Sequence, residues 1–174
     1  MASAQPEPAM VPVTISSALV YKRDAQETEE DEGTRRIEAV PMPAKEPGPE
    51  YVGARRVPRH WMKLTETGGD RALHIGVGEA EAVALALSLD GREFPRPMTY
   101  QFAASLLQAS GTELREVRIT RLTDGVFYAQ AELSNGAVVD ARPSDALNLA
   151  AITGAPVLVA TDLLDLISRP APEG

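Results

Sequence analysis

Two carboxylates, a guanidinium and a hydroxyl fall within six residues in the segment Asp140-Ala-Arg-Pro-Ser-Asp145. An apolar strand pattern precedes the segment and an apolar helix pattern follows it. The charges therefore gather at a junction where helix-terminal amides also point outward. Such a corner suits phosphodiester chemistry. Asp140 or Asp145 would hold a divalent cation or a water, Arg142 would neutralise a phosphate oxygen, and the helix N-terminus would bind the anion. The same spacing fits a plain helix start, in which Ser144 or Asp145 caps the helix and Arg142 pairs with Asp140. Spacing alone favours the plain start.

The remaining chemical signals are weaker. Gly76-Val-Gly78 stands between a strand and a helix, as a dinucleotide fingerprint does, but its third small position is Glu81. Carboxylates at Glu79 and Glu81 would repel a pyrophosphate, so the glycines are expected to make a tight turn that brings backbone close to a neighbour. His60 and His74 have no metal-site spacing, and Ser144 has no nearby histidine in sequence. Without cysteine, disulfides, thiolate metal sites and a cysteine nucleophile are excluded. The net charge of -8 opposes nucleic-acid binding, which draws on cations displacing counterions from phosphates. Most of that charge is N-terminal: residues 1–50 hold five basic and ten acidic side chains, against 12 and 15 in the rest. Fourteen of the 17 cations are arginine, the residue best suited to gripping phosphate with a planar fork.

The elements that must position these groups are legible from periodicity. Residues 11–21 read as a strand, the acidic run 27–32 as a solvated segment, and 41–49, with four prolines and a glycine, as a linker. Strands are expected near 51–56, 61–66 and 71–77. A helix follows over 79–89, with Ala80, Val83, Ala84 and Leu87 on one face. Thr99 is expected to cap a second helix whose apolar stripe is Phe102, Ala103, Leu106 and Leu107, stopped by Gly111. Asp124-Gly125 and Asn135-Gly136 are hairpin turns that join strands near 113–122, 126–133 and 137–141 into a meander. A helix to about Ile152, a short strand over 156–160 and a terminal helix over 162–168 complete the pattern. Grouped strands and helices predict an α+β fold, with mixed or antiparallel sheet and three to four short helices in one compact domain over 50–168. Residues 1–49 form an acidic, proline-rich segment, partly mobile with one strand, and 169–174 a disordered tail.

The pieces Leu73-His-Ile-Gly-Val-Gly-Glu-Ala-Glu-Ala82, Arg96-Pro-Met-Thr99, Asp124-Gly-Val-Phe-Tyr-Ala129, Asp140-Ala-Arg-Pro-Ser-Asp-Ala-Leu147 and Gly154-Ala-Pro-Val157 come in this order over residues 50 to about 167. In them the chain resembles the bifunctional nuclease family, small proteins described as having both DNase and RNase activity. The resemblance places that family's helix-opening glutamate on Glu81, its arginine-proline turn on Arg96 and Pro97, and its charged motif on Asp140, Arg142, Ser144 and Asp145. It implies Glu81, Asp140 and Asp145 as catalytic residues and ligands of Mg2+ or Mn2+, with Arg96, Tyr100, Arg142 and Ser144 as substrate contacts. No organic cofactor is expected. The sequence departs from the pattern at His74 and Gly76, where the family often has proline and a large hydrophobe, and at Tyr100, where it often has histidine. Tyrosine donates a hydrogen bond but is a poor base near neutral pH.

Two functions follow. The first is a metal-assisted nuclease acting on DNA and RNA. The second is a non-enzymatic regulatory or protein-interaction domain in which the same charged corner is a buried structural network. No apolar run is long enough for a membrane span and no secretory leader is visible. The expected compartment is the cytoplasm, no membrane partner is expected, and the sequence admits a homo-oligomer.

Overall fold

A computed structural model of the chain describes residues 8–20 and 60–168. The acidic run, the proline-rich linker, the strand expected at 51–56 and the 169–174 tail lie outside the described residues.

The β-branched stretch expected as a strand forms β1 (Met10–Val20), and the two alternating runs after residue 59 form β2 (His60–Glu66) and β3 (Ala72–Val77). Gly68 at φ +79 turns the chain between β2 and β3, and Arg71 closes the hairpin by gripping Glu66 through Nε at 2.7 Å and Nη2 at 2.6 Å. Helix α1 (Glu79–Leu89) and helix α2 (Thr99–Ala109) follow. The meander comprises β4 (Leu114–Thr123), β5 (Val126–Leu133) and β6 (Val138–Ala141). Asp124 and Gly125 both take positive φ in its first turn, as an Asp-Gly hairpin requires. Helix α3 (Pro143–Thr153) ends on Gly154 in the left-handed conformation, and β7 (Val157–Ala160) and α4 (Thr161–Ser168) complete the chain.

These elements build one α+β unit around a seven-stranded mixed sheet in the order β3-β2-β1-β7-β4-β5-β6. The pairing of β4 with β7, with Val117 opposite Val157 and Ile119 opposite Val159, is the parallel one among the described strands. Alternation along each strand sends Met62, Leu64, Val117, Ile119, Ala129, Ala131, Val157 and Val159 to one face. There they bury against Leu85 of α1, Leu147 of α3 and Leu164 of α4. Helix α3 is the hub, packed against α1, α2, β4 and β5.

Two expectations are revised. The stripe of Phe102, Ala103, Leu106 and Leu107 does not enter the core: α2 lies outside α3 and buries none of its residues, leaving Phe102 54 % and Leu106 55 % exposed. Met98, not Thr99, is the N-cap of α2, in extended backbone and without a side-chain capping bond.

Residues 10–20 are not peripheral. Strand β1 pairs with β2 on one side and with β7 on the other, so it joins the two halves of the sheet. Removing it would expose the backbone edges of β2 and β7 and take the core residues Val13 and Ala18 away with it. A fragment starting at residue 50 is therefore expected to show no cooperative thermal transition by circular dichroism, while the full chain melts cooperatively. A fragment that melts at the full-chain temperature would contradict the central position of β1.

Candidate functional site

Helix α3 opens in a way that proline dictates. Pro143 at the first helical position has no N–H to leave unsatisfied, and it forces the preceding residue into extended backbone. Arg142 accordingly becomes the N-cap, at φ -68 and ψ 142, and its carbonyl accepts from the amides of Asp145 and Ala146, each at 3.1 Å. Neither Ser144 nor Asp145 provides the expected side-chain cap. Ser144 is buried, and its carbonyl accepts a hydrogen bond from Asn148 Nδ2 at 2.9 Å. The Asp145 carboxylate instead receives the guanidinium of Arg142, through Nε at 2.7 Å and Nη2 at 2.9 Å.

Two further elements bring their groups to this fork. From the first turn of α1, Glu81 Oε1 accepts from Arg142 Nη2 at 3.0 Å. From the first turn of α2, the Tyr100 hydroxyl donates to Asp145 Oδ1 at 2.9 Å. Gly78 makes room for the first of these. A Cβ at residue 78 would lie 2.3 Å from Glu81 Oε2, so glycine lets the carboxylate fold back over the start of α1. The close approach expected of the Gly-Val-Gly turn is thus to Glu81 itself.

The electrostatics follow from this geometry. Arg142, with the Tyr100 hydroxyl helping, holds the Asp145 carboxyl below the ordinary carboxylate range, against a partial loss of hydration. Partial burial first, and then the bond to Asp145, push the Tyr100 hydroxyl well above its ordinary value, so it stays a protonated donor. Arg142 is held permanently charged. Its side chain is 66 % exposed, so the network is an open one and not the buried lock that a purely structural role would need. Nη1 makes no hydrogen bond with the described residues.

Glu81, Tyr100, Arg142 and Asp145 therefore meet, and Asp140, Arg96 and Ser144 do not join them. Asp140 pairs across the sheet with Gln130, the neighbour of inward-facing Ala129 and Ala131, so it points to the face opposite the helices. The pairing of Arg142 with Asp140 is not made. Arg96 is exposed in the connection before α2 and lines no part of the groove described below. His60 and His74, on β2 and β3, do not line it either. Among the described residues no three metal-ligating side chains converge. With Asp140 on the far face and a guanidinium between Glu81 and Asp145, the expected three-carboxylate set does not fit Mg2+ or Mn2+ here.

The four residues close one end of a groove of about 380 Å³. Its floor is one face of α1, carrying Ala80, Ala84, Leu87 and Ser88, and its wall is Phe94, Met98 and the first turn of α2. Helix α2 has no acidic residue in that turn and no side-chain cap, so the positive end of its dipole opens on the groove. Sequence reasoning missed Phe94 and Met98, whose signal was two large hydrophobes flanking Pro95 and Pro97 where nothing can repeat as a helix. It also missed Asn148, a fully buried amide that donates from Nδ2 to the Glu81 carbonyl at 3.0 Å and so clamps α1 onto α3. A lone asparagine in the apolar run of α3 was the available sign.

A model of the bifunctional nuclease domain matches residues 62–171, which contain the whole cluster. The chain belongs to the bifunctional nuclease domain family. A Mycobacterium tuberculosis protein named only as uncharacterised is 43 % identical over 98 residues, covering 56 % of this chain and 60 % of that one. Bifunctional nuclease 1 of Oryza sativa subsp. japonica is 31 % identical over 109 residues, 59 % of this chain and 33 % of its own length. Bifunctional nuclease 1 of Arabidopsis thaliana is 32 % identical over 100 residues, 54 % and 31 %. The bifunctional nuclease domain of this chain thus spans less than two thirds of each relative. No helix among the described residues is long and apolar enough to cross a membrane.

Gly78→Ala separates the cluster from the fold. The backbone at residue 78, φ -72 and ψ 158, suits alanine, and the opposing atoms are the far end of a flexible side chain. The variant is expected to melt within about 1 kcal/mol of the parent, while the Arg142 side-chain NMR signals move as Glu81 is displaced. A large loss of melting temperature would mean that the backbone, not the carboxylate, opposes the new Cβ.

Proposed function

We propose that the chain is a nuclease that grips a phosphodiester at the Arg142 corner and hydrolyses it in DNA and RNA. The observation that carries this reading is the guanidinium itself: two carboxylates fix its orientation, while Nη1 faces out of the cluster with no partner among the described residues. Family membership and the name of the plant relatives support the reaction class.

In this reading a non-bridging phosphate oxygen takes hydrogen bonds from Arg142 Nη1 and lies against the uncapped first turn of α2. As water attacks phosphorus and the P–O bond to the opposite sugar oxygen breaks, negative charge builds on the non-bridging oxygens, and a fixed guanidinium stabilises it without having to reorganise. The leaving oxygen takes a proton from solvent water at the open groove. Glu81 Oε2 makes no hydrogen bond with the described residues and is the carboxylate oxygen left to orient the water and accept its proton. Asp145, held ionised and doubly engaged, keeps the fork in place, and Tyr100 fixes Asp145. Arg142 supplies the charge neutralisation, and no step is routed through a metal.

Arg142→Ala is expected to lower cleavage of a labelled oligonucleotide about 100-fold, with a stability change under about 1 kcal/mol because the ion pairs are exposed. Arg142→Lys should not rescue it, since a point charge cannot hold Asp145 with two parallel bonds. Wild-type cleavage by Arg142→Ala, or no cleavage by the parent protein with either magnesium or chelator, would overturn the reading.

A further inference from the structure

The groove has two unlike ends, and a phosphate accounts for only one of them. Away from Arg142 its lining is apolar: Ala84 and Leu87 on the α1 floor, Phe94 and Met98 on the wall. Phe94 is 38 % and Met98 40 % exposed, so two large hydrophobes are held out toward solvent beside the charged corner. The segment Phe94-Pro95-Arg96-Pro97-Met98 explains how they stay there. Each proline fixes its own φ and restricts the residue before it, and the bend at Pro95 and Arg96 turns Phe94 and Met98 to the groove while Arg96 stays outside. Such a wall loses little freedom when something packs on it.

We propose that this apolar end receives one unstacked nucleobase of the strand whose phosphate lies at Arg142, so that the substrate is single-stranded or locally opened nucleic acid. The inference rests on the phosphodiester reading above and adds its substrate class. A base within a duplex shows only its edges, because both of its faces are stacked. A flat ring can lie against Phe94 and Met98 only after leaving the stack. The groove volume of about 380 Å³ is that of a small-ligand cleft and suits one nucleotide, not a stacked pair. The polar groups beside the apolar end are few. The Ser88 hydroxyl is committed to the Ala84 carbonyl at 2.9 Å, while Thr99 and Gln101 also line the groove and carry groups able to donate to or accept from a base edge. Two adaptable contacts and one stacking face give a grip that tolerates any base, which suits action on both DNA and RNA.

Binding of phosphorothioate-linked probes to the full chain tests the inference by fluorescence anisotropy. The probes are a single-stranded 12-mer, the same strand in a duplex, and the same backbone with abasic sites throughout. The single strand is expected to bind at least 10-fold more tightly than the other two. Phe94→Ala should weaken the base-bearing strand about 10-fold, within the range for one stacking contact, and leave the abasic strand unchanged. Phe94→Tyr, which keeps the ring, should bind as the parent does. Equal binding of all three probes by the parent, with loss of all three in Arg142→Ala, would overturn the base site and leave the phosphate reading standing. Equal weakening of base-bearing and abasic strands by Phe94→Ala would likewise overturn it. Failure of the parent to bind any probe would overturn both.

Discussion

The fork between Arg142 and Asp145 sets the geometry of everything around it. A guanidinium bonded through Nε and Nη2 to both oxygens of one carboxylate has a fixed plane and a fixed direction, because two parallel bonds leave no free rotation. The same Nη2 reaches Glu81 on α1, and the same Asp145 oxygen accepts from Tyr100 on α2. Three helices are tied at one exposed charge. Tied this way, Arg142 differs from an ordinary surface arginine, whose side chain samples many rotamers and loses that freedom on gripping an anion. Here the ordering is already present before a ligand arrives.

Three further residues support the fork from α1 and α3. Pro143 starts α3 and makes Arg142 its cap, Gly78 leaves space for the Glu81 carboxylate, and Asn148 holds the α1 carbonyl against α3. None of α1, α2 and α3 has a side-chain N-cap. In an ordinary fold that would cost stability at each helix start. Here the capping-competent carboxylates, Glu81 and Asp145, bind the guanidinium instead of backbone amides, and the first turn of α2 is left facing the groove. The charge balance follows the same logic. With a net charge of -8 the chain has little general attraction for an anionic strand, and in the proposed reading affinity draws on one oriented cation, a helix end and apolar contact.

What the sequence revealed divides along the range of the interactions. Turns and helix extents were read correctly, though not the caps at Thr99 and at Ser144 or Asp145: Asp124-Gly125 turns its hairpin, Gly111 takes positive φ after α2, and the helices begin and end within a residue or two of their periodic patterns. The charged segment and the positions matched to the family led to Glu81, Tyr100, Arg142 and Asp145, which the fold assembles. Relations between distant segments were not legible. Nothing in the period of residues 10–20 says that they pair with β2 and β7, and nothing in Asp140 to Asp145 says which carboxylate lies on which side of the sheet. The apolar stripe of α2 misled because amphipathicity marks a face that can be buried without naming a partner, and α2 rests outside α3. Phe94 and Met98 went unread for a related reason: exposed hydrophobes flanking a pair of prolines acquire meaning only when another helix supplies the opposite side of a groove.

The central claim is that a phosphate meets the protein at the oriented guanidinium beside the start of α2. The most direct measurement is a titration of the 15N-labelled full chain with a nuclease-resistant phosphorothioate dinucleotide. The side-chain Nε–H of Arg142 and the backbone amides of Thr99, Tyr100 and Gln101 should shift together, following the same isotherm as the 31P resonance of the ligand. Shifts confined to the opposite sheet face around Gln130 and Asp140, with the Arg142 signal unmoved, would contradict the account.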